Sequence, residues 1–368
     1  MANELFYKTE YCLKYKDDIV FKFIPYSQSL QLINPSLIPL SLHSTPVSYD
    51  MIRKFCADRI LMLNREYCKE LLTACGVFDQ NDVTICIVCK GLSFRDNYWI
   101  CKSKSRLTWS EVNLYQNESS LEISRVSLTG DMTGVAIDSI SVEDLLTGAL
   151  TAKGTRAKCY MRENGNLYLY KAETYAEITS EIISYHIATA LKLPCSKYWM
   201  DYMFDRECSV CQIFTSPEIE LIACRDVLSA YNSAVGYNSK YYEVFMYLDA
   251  INFMKMQIFD YVTLNTDRNR DNFGLLRQDG QIMGLYPIYD HDSCFKGKSV
   301  NGIYFPTNLT FANTLELLKT MYSNYYRKLY NDISEFKEEM KSDKMKKLFV
   351  QYKSIEEYER MIIRVNEL

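Results

Sequence analysis

The stretch DYVTLNTDRNRDNFGLLRQDGQIMGLYPIYDHDSCF, from Asp260 to Phe295, decides how the rest of this chain is read. An apolar run, Ile258 to Leu264, ends in a polar loop that holds Asp267. Asn272 opens the strand-like NFGLL, and Asp290 follows a second strand-like run, IMGLYPIY, after a short turn. Two short strands would then present three oxygen-bearing side chains together. Phosphoryl transfer calls for such a set, because it depends on positioning and charge neutralisation more than on covalent chemistry by the protein. Asp267 would orient the attacking hydroxyl. Asn272 and Asp290 would hold Mg2+, a hard cation that takes oxygen ligands, while Arg268 and Arg270 balance phosphate charge. The alternative is a solvated turn, since Asn and Asp readily bond their own backbone.

The segment resembles the catalytic region of HipA-like kinases, whose pattern runs N-x-D-x-x-x-x-N-F, a short hairpin, then P-x-Y-D. Asn265, Asp267, Asn272, Phe273, Pro287, Tyr289 and Asp290 carry the match, and Asn269 stands where members often have His. The resemblance implies a serine/threonine protein kinase using ATP and Mg2+. The fold it implies is α+β and bilobal, protein-kinase-like, with a strand-rich nucleotide lobe, a helical C-terminal lobe and an additional N-terminal domain. Several members are toxins held by a DNA-binding antitoxin, so such a partner is an expectation here.

Upstream, LTAKGTRAKCYMRENGNLYLYKAET reads as a loop around Gly154, a strand from Lys158 to Met161, an Asn164-Gly165 turn and a strand from Leu167 to Lys171. Asn-Gly between such runs is a strong hairpin signal. A helical pattern follows in Ile178, Ile182, Tyr185, Ile187 and Leu191, with Glu181 in its first half. In the kinase plan a strand lysine contacts the phosphates and is steadied by a helix glutamate, which makes Lys171 and Glu181 catalytic candidates. Taken singly, a strand-end lysine and an exposed helix carboxylate are the commoner readings; their order along the chain favours the kinase one. By resemblance, Gly154 and Lys158 belong to a flexible phosphate loop in which Thr151 is an autophosphorylation candidate. Gln212 and Phe214, after the apolar run CSVCQIF, would flank an adenine-binding hinge.

Composition sets outer bounds. The chain has 368 residues, 48% hydrophobic and 24% charged, which describes a globular protein with room for more than one domain. A formal net charge of -4 disfavours broad nucleic-acid binding. No apolar run reaches membrane-span length, and MANELFYKTEYCLKYKDD lacks a signal-peptide layout, so a cytoplasmic location is expected. Thirteen cysteines include Cys86-x2-Cys89 and Cys208-x2-Cys211. Both pairs lie in strand-like runs, where residues three apart face opposite ways, so buried thiols are a better reading than zinc ligands. Among three histidines, none has a hydrolase partner motif, and His291 beside Asp290 reads as a structural imidazole.

The leading region, 1–140, is expected to be an α/β accessory domain, with a helical stretch near Met51 to Leu72 and strands near Thr84 to Lys90. GLSFRDNYWI and WSEVNLYQN resemble a stretch preceding the kinase core in some HipA-like proteins, carried by Gly91, Leu92, Ser93, Asp96, Trp99 and Asn113. The preferred reading is an aromatic docking cluster of Trp99, Trp109 and Tyr115. Residues 141–368 are expected to form the kinase domain, strand-rich over 141–215 and helical over 216–368, with a core stripe of Leu348, Tyr352, Ile355, Tyr358 and Ile362. Three other functions remain open: a nucleotide-binding interaction module without turnover, a structural adaptor that binds no Mg-ATP, and a lipid or small-molecule kinase, for which Lys296 and Lys298 are the only basic candidates near Asp290.

Overall fold

The computed structural model describes residues 6–79, 81–135, 145–295, 299–300, 303–304, 316 and 319–368. The boundary expected near residue 140, and Lys296 and Lys298, lie outside the described residues. The chain divides into two units, Met1–Ala172 with Asp201–Glu220, and Glu173–Met200 with Leu221–Leu368. Among the described residues, no helix is long and apolar enough to cross a membrane.

The first unit opens with an antiparallel sheet of β1 (Tyr11–Tyr15), β2 (Asp18–Ile24), β3 (Ser29–Leu32) and β4 (Tyr98–Lys102), ordered β3-β2-β1-β4. Period-two alternation serves both faces of the sheet. Tyr11 pairs with Phe23 and Leu13 with Phe21 on the face that joins the larger core. Cys12, Trp99 and Cys101 join a smaller cluster with Trp109 and Tyr115.

Helices α1 (Asp50–Arg59), α2 (Cys68–Ala74), α3 (Asp82–Val88), α4 (Trp109–Val112) and α5 (Leu121–Thr129) complete this part. The helix expected over Met51 to Leu72 is therefore broken at 60–67. VTICIVCK is a helix, α3, and not a strand: Asn81 accepts hydrogen bonds from the Val83 and Thr84 amides and caps its start. A short, fully buried apolar run carries no periodicity to separate the two states, and the cap decides it. A second sheet follows, of β5 (Lys158–Glu163), β6 (Asn166–Ala172), β7 (Tyr198–Met203) and β8 (Arg206–Gln212), in the order β5-β6-β8-β7. Asn164 and Gly165 both have positive φ, 48° and 81°, as the hairpin turn between β5 and β6 requires. Tyr160, Leu167 and Ile213 of this sheet region pack on the Trp99, Trp109 and Tyr115 cluster, so the expected docking cluster exists.

The second unit begins with α6 (Tyr175–Ala190), started by a capping box in which Thr174 and Glu177 satisfy each other's amides. Strand β9 (Ile219–Ala223) leads to α7 (Cys224–Val235) and α8 (Tyr241–Thr263), then to the antiparallel hairpin β10 (Gly274–Gln278) and β11 (Gln281–Leu285), ordered β11-β10-β9. Helix α8 breaks at Asp249 (φ -156°, ψ 74°), whose carboxylate accepts the Leu285 amide at 2.9 Å and so fastens the hairpin. Towards the C-terminus the described residues include helices α9 (Ser323–Lys328), α10 (Tyr330–Lys341), α11 (Asp343–Gln351) and α12 (Ile355–Glu367). Asp332 of α10 accepts from Lys255 of α8 at 2.8 Å and from Lys192 at 2.9 Å. Of the expected core stripe only Tyr358 is buried, while Leu348, Tyr352, Ile355 and Ile362 are half-buried; α11 and α12 instead bury Met345, Phe349, Met361 and Val365, because the break between the two helices shifts the inward face.

Candidate active site

Helix α8 stops because Leu264 takes the left-handed conformation (φ 49°), which turns the chain into the loop Asn265–Asn272. Asn265 folds the loop on itself: its Nδ2 donates to Asp260 Oδ1 at 3.0 Å, and its Oδ1 accepts the Asp267 amide at 3.1 Å. Asn269 donates from its amide to the Asp267 carbonyl at 2.7 Å and from Nδ2 to Asp267 Oδ1 at 3.3 Å. Asn272 Nδ2 donates to the Asp267 carbonyl at 3.0 Å. Asp267 is thus held at the exposed lip of the loop by its neighbours, with Asn269 supplying the support at the departure from the family pattern.

Asp290 closes the segment after the hairpin in a left-handed backbone conformation, φ 63°. A non-glycine residue held there marks a position that the surroundings over-determine, and such positions gather at functional sites. Tyr198 provides one restraint, its hydroxyl oxygen accepting the Asp290 amide at 3.2 Å. The fully buried Glu181 provides the next, its Oε2 accepting the His291 amide at 2.8 Å. Glu181 therefore fixes the backbone beside Asp290. His291 is buried with its ring nitrogens near Arg268 Nη2 (3.3 Å) and Cys195 Sγ (3.4 Å), a structural imidazole as expected.

Arg268 is not available to phosphate, contrary to expectation. Fully buried, it ion-pairs with Asp260 at 3.1 Å and donates to the carbonyls of Asn272 (2.9 Å) and Tyr289 (3.1 Å), tying the loop to the end of the hairpin. Burial raises the Asp260 carboxyl and works against the charge on Arg268, while the pair's mutual attraction raises the affinity of Arg268 for its proton. Three donor contacts to the carboxylate decide for a charged pair. Arg270 remains exposed.

The Asp267 carboxyl titrates above the usual aspartate range, first because of desolvation and then because of the negative charges of Asp290 and Asp292, opposed by the Asn269 hydrogen bond and Arg268. Carboxylate and amide oxygens are the donor types that a hard divalent cation takes, but among the described residues no three His, Cys, Asp or Glu side chains are grouped to hold a metal ion by themselves.

In the first unit, Lys158 and Lys171 are directly opposite in the β5–β6 register, and both are buried. Cross-strand partners share a face, so the two lysines project to the same side of the sheet. Lys158 Nζ also donates to the Lys153 carbonyl at 2.6 Å, inside the loop whose Gly154 has φ +98°. That φ is one that L side chains rarely adopt, which is what favours glycine at this position, whereas the only close neighbour of an added Cβ is the flexible end of Lys158. Gln212 ends β8, exposed, with its Nε2 donating to Asn166 Oδ1 at 3.2 Å; Phe214 is half-buried just beyond. Thr151 is buried, its hydroxyl donating to the Leu92 carbonyl at 2.6 Å, and is not presented for modification in this conformation.

No protein-family model matches the chain, and no curated protein matches it. Solved structures do. The HipA of Shewanella oneidensis, in its toxin-antitoxin complex with HipB and operator DNA, matches over 97% of this chain and 97% of its own, at 12% identity and a TM-score of 0.58. The chain has a HipA-like kinase fold. A Helicobacter pylori proinflammatory kinase, CtkA, matches 57% of this chain and 94% of its own at 18% identity, with a TM-score of 0.39. Within the HipA-like fold, the residues that sequence reasoning passed over are Asp260 and Tyr198. Asp260 had a visible signal, an acid inside an otherwise apolar run. Tyr198 had none, because a hydroxyl that meets a backbone amide 92 residues away leaves no local pattern.

Proposed function

We propose that the chain is an ATP- and Mg2+-dependent protein kinase that phosphorylates serine or threonine hydroxyls. The observation that carries this reading is the loop in which Asn265, Asn269 and Asn272 all brace Asp267, with Asp290 held by Tyr198 after the hairpin. Asp267 would orient the acceptor hydroxyl and receive its proton as the new O–P bond forms and the bond from γ-phosphorus to the β,γ-bridging oxygen breaks, with ADP leaving. Asn272 and Asp290 would hold Mg2+, which neutralises phosphate charge when bound. Lys171 and Lys158 supply buried positive charge for the phosphates, Gly154 lets the loop approach them closely, and the backbone near Gln212 and Phe214 is assigned to adenine.

The partner expectation follows the same likeness. The S. oneidensis HipA is in a complex with HipB and operator DNA, and a DNA-binding antitoxin is proposed for this chain too, as is a cytoplasmic protein substrate. Incubation of the purified protein with γ-labelled ATP, Mg2+ and cytosolic extract tests the reading. Label should appear on serine or threonine of a protein and vanish with Asp267→Asn and with Asp290→Asn. ATP binding without any transfer by the wild type would instead make the chain a nucleotide-binding module, and label in lipid would make it a lipid kinase.

A further inference from the structure

The loop assigned above to phosphate is held almost wholly by residues far earlier in the chain. Arg65 lies between α1 and α2 and is buried, and burial lowers its pKa to about 10. It reaches both ends of the loop: Nη1 donates to the Ala149 carbonyl at 2.8 Å and Nη2 to the Lys158 carbonyl at 2.6 Å. Nη2 also donates to Ser127 Oγ at 2.7 Å, and Ser127 Oγ donates to the same Lys158 carbonyl at 2.5 Å. Next to it, Glu66 grips the middle. Its amide donates to the Thr155 carbonyl at 2.9 Å, and its Oε2 accepts the Ala157 amide at 3.2 Å. The Leu61 amide adds a bond to the Leu150 carbonyl at 2.8 Å.

A guanidinium donating to the two ends of one loop fixes their separation, and the glutamate fixes the part between them. The geometry is that of a clamp. Tyr67, which follows, is held at φ 57° with its ring against Gly130, so the clamping segment is itself over-determined. Burial of an arginine against the two loop carbonyls and Ser127 is a costly arrangement, and it is explained if the shape of the loop matters to a ligand.

We propose that Arg65 and Glu66 are positioning residues for the triphosphate, holding Ala149–Lys158 in the shape that brings its backbone and the Lys158 ammonium to the phosphates. The inference rests on the nucleotide reading of this loop. It also gives the leading region a role in nucleotide affinity, beyond docking.

The test is calorimetric titration of the full-length protein with Mg·ATP and, separately, with adenosine, for the wild type, Arg65→Lys, Arg65→Met and Glu66→Ala. Trypsin digestion is run in parallel to read cleavage after Lys153 and Arg156. Arg65→Met should weaken Mg·ATP about tenfold and Glu66→Ala about threefold. Adenosine affinity should stay unchanged, Arg65→Lys should recover part of the loss, and tryptic cleavage in the loop should speed up in step. Equal losses for ATP and adenosine, or Mg·ATP affinity within twofold of wild type in every variant, would overturn the clamp. Glu66 is partly exposed, so its variant decides the matter if the Arg65 variants do not fold. A wild type that binds no Mg·ATP sinks the nucleotide reading as well, whereas a wild type that binds while the variants are unaffected sinks only this inference.

Discussion

At the scale of single residues, the candidate site stores an electrostatic cost. The carboxyl of Asp267 is held above its usual range by desolvation and by Asp290 and Asp292. A carboxyl raised in the folded state contributes stability that is complete below its unfolded pKa, near 3.9, and is lost as pH rises through the folded value. Its ionised form at neutral pH is thus unfavourable in the ligand-free protein. Asp267→Asn is therefore expected to leave the melting temperature equal or slightly higher at pH 7, with the difference disappearing near pH 3, while phosphate transfer is lost. Scanning calorimetry at the two pH values checks this; a clear fall in the neutral melting temperature would mean that Asp267 is a structural carboxylate. Arg268 illustrates the opposite case. The type and place of this residue invited a phosphate contact, but only the fold reveals that Asp260 takes its charge inside the unit.

At the scale of elements, the hairpin that carries Asn272 and Asp290 to their places is set by backbone proximity. Gly274 begins β10 against β9, and a Cβ there would fall 1.9 Å from the Ile222 carbonyl oxygen and 2.9 Å from the Ala223 Cα. Neither neighbour is a flexible side-chain end. Gly274→Ala should force the two strands apart, costing about 2–3 kcal/mol in denaturant unfolding as an overpacked site does, and should disturb Asn272 two residues away. A stability within 0.5 kcal/mol of wild type, an ordinary surface-mutation effect, would show that the strands are not so closely seated. The hairpins themselves were readable. Asn164-Gly165 announced β5 and β6 by turn chemistry, and the β10–β11 hairpin appeared as two short apolar runs. The run at Thr84 to Lys90 misled because a buried helix of two turns has no polar face to reveal its period.

At the scale of the whole molecule, the leading region and the strand pair carrying Lys158 and Lys171 belong to one unit. They share the Trp99, Trp109 and Tyr115 cluster and the Arg65 contacts. A shortened chain beginning at residue 141 would expose Tyr160, Leu167 and Ile213 and strip the Gly154 loop of its restraints. It should be insoluble, or bind a hydrophobic dye in the manner of a loosely packed state. A soluble, cooperatively melting fragment 141–368 would show that the accessory region is dispensable for folding.

What the sequence alone determined is what local chemistry can encode: the turn residues of the hairpins, the helical period after Lys171, and the order of Asp267, Asn272 and Asp290 that pointed to a HipA-like fold. Tertiary structure decided which charges are spent inside and which remain outward. Arg268, Arg65 and Glu181 look like surface residues in the sequence, and each is buried because its partner is an atom dozens of positions away or across a loop. The physical reason is that burying a charge is favourable only where a specific partner waits. Such partners meet through folding and leave no trace in spacing along the chain.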